Sequence, residues 1–486
     1  MYMGIDLGTS AVKVITIDEA GVLIASASAP LQVDRPHPLW SEQSPQQWWQ
    51  ATGQAIAALS EQVDLKRVQA IGLSGQMHGA TLLDRQGQVL RPAILWNDGR
   101  SAEQCRLLEQ SVPDSRERTG NMMMPGFTAP KLKWLQQHEA DVFRQIDQVL
   151  LPKDYLRYRM TGDYASDMSD SAGTLWLNLA RRDWDDTLLG ATGLTREQMP
   201  TLYEGPEITG YLRDDIAQQW GMNRVPVVAG GGDNAAGALG VGIHSPGQAM
   251  LSLGTSGVYF AVSDGVRSNP GAALHCFCHA IPKTWHMMSV ILSAASCLDW
   301  ACRLTGTESV ATLLQLVEAK SERLQQNSVI FLPYLSGERT PHNNPNAQGV
   351  FFGLTHQTGP EELVQAVLEG VAFAFADGVD AVHQTGFVPN EVTLIGGGAQ
   401  SAYWRALLAD VLGMEMTYRA GGEVGPGLGA ARLAMLGVNP DLQIADGCPQ
   451  PPLLARHVVH LEHHQRLQAR REKFKALYPA IQSLYS

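Results

Sequence analysis

Along the first eighteen residues the apolar positions read as two short strands around a turn. Tyr2 to Asp6 is the first strand and Leu7-Gly8-Thr9-Ser10 the turn. Ala11 to Asp18 is a β-branched run carrying Val12, Val14, Ile15 and Ile17. The same tetrapeptide returns half a chain later as Leu253-Gly254-Thr255-Ser256, between Met250-Leu251 and the run Val258 to Val262. A second echo accompanies it. Val227-Val228-Ala229 runs into Gly230-Gly231-Gly232, and Val392-Thr393-Leu394-Ile395 runs into Gly396-Gly397-Gly398. Both are buried-strand patterns that deliver three glycines to a strand end. Helical patterns alternate with these strands, as an α/β protein requires. Ser44-Pro45-Gln46-Gln47 has the form of a capping box with Pro at the first helical position, opening a helix to about Gln62. Val68 to Leu73 predicts a short buried strand leading into Ser74-Gly75-Gln76-Met77-His78-Gly79. Thr358-Gly359-Pro360-Glu361 opens a long helix through Ala366, Leu368, Val371 and Phe375, and Ser401 caps another over Ala402 to Leu412.

The simplest account of the echoes is two domains of common architecture. Aligning both pairs sets Asp6 against Ser252 and Asp233 against Ala399. On that alignment the first half carries two carboxylates where the second has neutral residues. It also carries the greater length between its landmarks, a natural place for substrate-specific structure.

Charge and composition then bound the partners. The 486 residues hold 36 Lys plus Arg against 48 Asp plus Glu, a net charge of −12. That balance argues against nucleic acid held on a broad positive surface. It does not exclude an anionic ligand received by backbone N–H groups. The six cysteines are irregularly spaced with no C-x-x-C, which suits a reducing cytosol rather than a disulfide framework. Asp6 follows the start with no basic stretch or long apolar run, so no signal peptide is expected. No window reaches the ~18 uninterrupted apolar residues of a membrane helix. A soluble cytoplasmic protein, with no membrane partner, is the expectation.

A glycine-rich hairpin turn lets N–H groups approach a phosphate closely, and Thr and Ser hydroxyls add donors. The Walker spacing G-x-x-x-x-G-K-[ST] is absent, so these are not P-loops. Two opposed phosphate hairpins instead describe the ATPase clamp of the actin, hexokinase and Hsp70 architecture. Two acids pointing into such a site would hold Mg²⁺, and one could accept a proton. The plainer readings are ordinary β-hairpins, and a helix cap for Asp233-Asn234.

Two longer motifs make the resemblance specific. Gly126-Phe127-Thr128-Ala129-Pro130-Lys131-Leu132-Lys133-Trp134-Leu135 is similar to one pattern of the FGGY carbohydrate kinases. Gly349-Val350-Phe351-Phe352-Gly353-Leu354, continuing to Glu362-Leu363 and Ala366-Val367-Leu368-Glu369, is similar to the other. Gln76 to Ala80, Trp96 to Arg100, Gly232-Asp233-Asn234 and Ser336 to His342 also resemble members that act on a ketopentose. The resemblance covers about residues 1–440. It implies an α/β fold of two actin-like ATPase (ribonuclease H-like) domains with a cleft between them. The expected boundaries are 1–244 for sugar and catalytic acids, 245–440 for nucleotide, and 441–486 as a helical tail on the second domain.

The activity implied is transfer of a phosphoryl group from ATP to the terminal hydroxyl of D-xylulose, with ATP and Mg²⁺ as cofactors. Carried over, Asp233 is the general base, and Asp6 serves the metal and phosphate site with it. Met77 and His78 contact the sugar, with Asn234 beside Asp233. Gly8, Thr9 and Thr255 lie in the phosphate hairpins, and Gly397, Gly398 and Ala399 match the adenosine motif. A neutral sugar needs directed hydrogen bonds and an apolar wall, which His78 and Met77 offer. Trp96 and Asn97 are weaker candidates, because a lone Trp at a strand end is commonly core. A homodimer is a family-level expectation. The alternatives are a kinase for L-ribulose or gluconate, or a nucleotide-driven binding protein of the actin type.

Overall fold

The computed structural model describes residues 1–420 and 425–485. Strands β1 (Tyr2–Leu7), β2 (Ala11–Ile17) and β3 (Leu23–Pro30) form an antiparallel meander. After helix α1 (Pro45–Ser60), β4 (Ala70–Gly75) returns parallel to β1, setting Asp6 opposite Ser74. Strands β5 (Ile208–Tyr211) and β6 (Pro226–Val228) complete the order β5-β6-β4-β1-β2-β3, and the short β7 (Gly231–Gly232) pairs with the end of β4. Helix α2 (Asp233–Gly240) follows at once.

The second half repeats the plan. Strands β8 (Gln248–Leu253), β9 (Gly257–Ser263), β10 (His275–Cys278) and β11 (Trp285–Ile291) are mutually antiparallel. Helix α3 (Pro360–His383) crosses to β12 (Glu391–Ile395), parallel to β8, and β13 (Met416–Arg419) lies parallel to β12. Here Glu362 accepts the Gly359 N–H at 2.9 Å, closing the helix start. Helix α4 (Pro426–Val438) follows. In the C-terminal segment, β14 (Leu453–His457) adds an edge strand to β13, and helix α5 (Leu461–Ile481) buries Leu467, Phe474 and Tyr478 in the second core. His457 thus lies on a strand, apart from His460 and His464 at the start of α5.

The repeat corrects the alignment of the glycine triplets. Gly230-Gly231-Gly232 follows β6, the second strand beyond β1. Gly396-Gly397-Gly398 follows β12, which is adjacent to β8 and so corresponds to β4. The hairpin echo pairs equivalent strands, but the triplet echo does not, and Ala399 is not the counterpart of Asp233. The extra chain of the first half lies between β4 and β6; that of the second lies before β12. Ser44 also makes no side-chain cap, although the helix starts at Pro45 as its sequence predicts.

Helix α4 crosses back onto the first sheet. On β1, Met3, Ile5 and Leu7 face the core beneath α1, leaving Tyr2, Gly4 and Asp6 on the opposite face. Gly4 and Gly72 are register partners on that face. A Cβ on Gly72 would stand 1.9 Å from the Ala430 carbonyl oxygen, and one on Gly4 2.0 Å from that of Gly427. The two glycines form the trough that admits the helix backbone. Arg432 of α4 donates to the last carbonyls of α2, Leu239 at 2.7 Å and Gly240 at 3.3 Å, so the two helices that follow the sheets are tied together.

Candidate active site

Asp233 is set at the first turn of α2, where N–H groups and the helix dipole favour negative charge. A buried chain of polar groups fixes the turn before it. The Gly232 N–H donates to Ser169 Oγ at 3.0 Å, and that hydroxyl donates to Asp167. Lys153 pairs with Asp167 at 2.7 Å and with Asp154 at 2.6 Å. The Asn234 N–H and side-chain amide both donate to Asp233 Oδ1, at 2.7 and 3.0 Å. Oδ2 is thereby left for another partner. Burial pushes the Asp233 carboxyl up to about 6, with the Asn234 donors opposing the rise.

Asp6 stands at the end of β1, on the face that carries α4. A Cβ built on Gly427 would lie 3.7 Å from its Cβ, so the start of α4 meets this acid. Burial and the charge of Asp233 push Asp6 up to about 7, against the pull of Ser74 and Lys13. Its Oδ1 is buried without a hydrogen-bond partner. Two mutually repelling carboxylates, one with an orphaned oxygen, fit a divalent cation. Among the described residues no group of three His, Cys, Asp or Glu side chains could hold a metal ion. A cation here would therefore draw its remaining oxygens from phosphate and water, the habit of Mg²⁺.

Met77, His78, Asp233 and Asn234 come together on one cavity of about 250 Å³, lined by both halves of the chain. His78 has φ +71°, a conformation that needs support in a non-glycine residue. The Gly126–Leu135 motif supplies it. Lys131 Nζ and Thr128 Oγ1 donate to the His78 carbonyl at 2.9 and 3.2 Å, and Phe127 meets its ring edge-on at 4.6 Å. His78 Nδ1 lies 2.8 Å from the Gly173 carbonyl. A carbonyl only accepts, so Nδ1 carries the proton and Nε2 is a bare acceptor. Burial and the Lys131 charge hold this imidazole down at about 3, hence neutral. Gly173 is obligatory: a Cβ there would fall 2.5 Å from His78 Cε1.

Sequence reasoning undervalued several lining residues. Trp96 is 40% exposed, lines this cavity and donates through Nε1 to Thr9 Oγ1 at 3.0 Å, so it is not core. Asn97 is exposed and outside the cavity wall, while its neighbour Asp98 is buried against Arg100. Phe127, His275, Phe277 and Arg339 also line the cavity. Only the family motifs around Phe127 and Arg339 hinted at them, because the contacts form across the two halves.

The nucleotide candidates divide. Thr255, Gly397 and Gly398 line a second cavity of about 680 Å³, built wholly from the second half. Ala399 is fully buried and is not on that wall; its carbonyl accepts from Arg405 at 2.6 Å. Gly8 and Thr9 lie in the first turn, outside both cavity walls. The Thr9 hydroxyl is engaged, donating to Gln76 at 3.1 Å and accepting from Trp96. The second turn faces both ways: Thr255 lines the larger cavity and the adjacent Ser256 the smaller. The two cavities therefore meet at one hairpin.

The N-terminal domain pattern of the FGGY family of carbohydrate kinases matches residues 1–240, and the C-terminal domain pattern residues 249–438. The chain belongs to this family. It is 62% identical over 481 residues to a xylulose kinase of Escherichia coli (strain K12), covering 99% of each chain. It is 58% identical over 486 residues to a xylulose kinase of Klebsiella pneumoniae, covering 100% of each. A crystal structure named as a xyloylose kinase from Brucella ovis is 45% identical, covers 99% of both chains and superposes with a TM-score of 0.94. The two-domain α/β architecture is thus that of the FGGY sugar kinases, with the actin-like ATPase fold. As a family member the chain is a carbohydrate kinase that uses ATP.

Proposed function

We propose that this chain transfers the γ-phosphoryl group of ATP to the terminal hydroxyl of D-xylulose, giving D-xylulose 5-phosphate. The observation that carries the reading is the Thr255-Ser256 turn, where a nucleotide-sized cavity meets a smaller, largely apolar cavity with Asp233 on its wall. The names of the relatives at 62% and 58% identity supply the sugar.

ATP would lie in the second half, its adenosine near Gly397 and Gly398 with Ala399 behind them. Its phosphates would extend across the Thr255 turn towards Gly8 and Thr9. Among the described residues the N–H groups of Thr9, Ser10, Gly254, Thr255 and Ser256 donate to no protein acceptor, which suits them to phosphate oxygens. Asp6, with Asp233, would hold Mg²⁺, whose charge would offset that of the polyphosphate.

The sugar would lie along Met77 with a hydroxyl donating to His78 Nε2. Asp233 Oδ2 would orient the terminal hydroxyl in line with the γ-phosphorus and take its proton as the new bond forms. Its raised pKa makes it a better base than an exposed aspartate while leaving it ionised at neutral pH. Closure of the halves around the sugar would exclude water, the competing acceptor. The six cysteines, none in a disulfide, suit a reducing cytoplasm.

A coupled ADP-release assay across D-xylulose, L-ribulose, gluconate and glycerol tests the reading. D-Xylulose should give the highest kcat/KM. A higher value for another sugar would replace the substrate, and slow turnover indifferent to every sugar would remove the kinase reading.

A further inference from the structure

The small cavity contains a cation that the mechanism above does not use. Arg339 reaches it from the second half, and its segment is pinned to β11. The Arg339 N–H donates to Glu338 Oε1 at 2.7 Å, and the same oxygen accepts the Leu292 N–H at 3.0 Å. Thr340 N–H bonds the Val290 carbonyl at 3.0 Å, and its hydroxyl accepts the Val290 N–H at 3.1 Å and donates to the Ala273 carbonyl at 3.1 Å. The arginine is therefore presented from a fixed base. Among the described residues, no carboxylate lies within ion-pair distance of its guanidinium, and no acceptor or ring face engages it. Glu338, its neighbour, turns its carboxyl back onto backbone N–H groups instead.

A guanidinium has five donors and no acceptor, so a half-buried one that lines the cavity without a partner is suited to an acceptor in the ligand. The other polar groups of the cavity are neutral or anionic: Asp233, Asn234, His78, His275, Ser256 and Trp96. Asp233 Oδ2 and His78 Nε2 accept, the Asn234 amide gives one of its two N–H donors to Asp233, and the Trp96 N–H is spent on Thr9. Acceptors on the protein read hydroxyls, which can donate. A carbonyl oxygen cannot donate, and among the described lining residues Arg339 is the cationic donor, able to offer it the strongest bond. The position agrees: Thr340, next to Arg339, is bonded to Val290, which lines the cavity, and to Ala273, two residues before the lining His275, whereas Asp233 enters from the first half. Arg339 thus belongs to the second-half wall of the cavity and Asp233 to the first-half wall. A five-carbon ketose with its terminal hydroxyl at Asp233 carries its C2 carbonyl three carbons away from the reacting one.

We propose that Arg339 reads the C2 carbonyl of the ketose and makes the cavity select 2-ketoses over the corresponding polyols. This rests on D-xylulose as the acceptor. The guanidinium, held by the second half, would bond a sugar seated on Met77 and His78 of the first, so the carbonyl would also help to draw the halves together.

The test compares kcat/KM for D-xylulose and xylitol, which differ only at C2, in the wild type, R339M and R339Q. The ratio of the two cancels the fraction of active protein, so a partly folded variant still answers. The wild type should favour D-xylulose. In R339M the preference should shrink about 10- to 100-fold, the worth of a hydrogen bond to a charged group. R339Q, with a neutral donor, should fall between. A ratio unchanged in both variants, with both substrates losing equally, would overturn the assignment of Arg339. A wild type inactive on D-xylulose would instead overturn the proposed function, a distinct result.

Discussion

Replacing Asp6 by Asn should stabilise the ligand-free protein while crippling its activity. The folded chain raises the Asp6 carboxyl from 3.8 to about 7, chiefly through burial and then through Asp233. A shift of about three units at about 1.36 kcal/mol each sets a ceiling of about 4 kcal/mol on the cost of ionising it. Asp6 is partly open to the cleft, so solvent reduces this, and about 2 kcal/mol is the working value. The sign follows from proton uptake. With a raised folded-state pKa, the native protein holds the proton between pH 3.8 and about 7, where the unfolded chain has lost it. Wild-type stability therefore falls as pH rises through that window and levels above it. The Asn variant does not titrate there. Its advantage should be near zero at pH 4, open between pH 5 and 7, and persist at pH 8. About 2 kcal/mol corresponds to a Tm difference of about 4 °C or more in a domain of this size. Thermal melts across this range, without nucleotide or magnesium, measure it. Adding Mg–ATP should narrow the gap, since the charge that destabilises the free protein would then have a partner. A pH-independent gap, or an Asn variant less stable throughout, would refute the electrostatic reasoning.

Two further outcomes concern the acceptor site. Gly173→Ala should displace His78, since the new Cβ would fall 2.5 Å from its ring; steady-state kinetics should show KM for the sugar raised about tenfold or more, with KM for ATP little changed. The acid limb of kcat/KM should lie near pH 6 because Asp233 must be ionised to take a proton, and Asn234→Ala should move that limb upward by removing the side-chain amide donor to the carboxylate while the backbone N–H stays.

What was legible in the sequence was local. The hairpin around Gly8 and Thr9, the helix opened at Pro360, and the helix capped by Ser401, whose Oγ accepts the Trp404 N–H at 3.2 Å, all rest on contacts within a few residues. The Gly-triplet echo misled because strand rank in a sheet is a long-range property. A strand run ending in three glycines reads the same whether it pairs beside the first strand or one place further out. Ala399 was matched to Asp233 for that reason, and as an adenosine contact it is buried behind the wall it was expected to form. The return of α4 onto Gly4 and Gly72 had no local sign, since each glycine's neighbour is more than 350 residues away in sequence. Met77, His78, Asp233 and Asn234 were found through family patterns, and the fold brings all four to one cavity. The cross-lobe members His275, Phe277 and Arg339 needed the assembled halves.

The central claim is that Asp233 accepts the proton of a sugar hydroxyl during phosphoryl transfer. The direct measurement is Asp233→Ala, with kcat on D-xylulose and ATP from coupled ADP release and D-xylulose affinity from calorimetry. The account predicts a kcat loss of about 10³-fold or more, with sugar affinity within a few-fold of wild type. A variant that keeps more than about a tenth of wild-type kcat, beyond what loss of a general base allows, would contradict it.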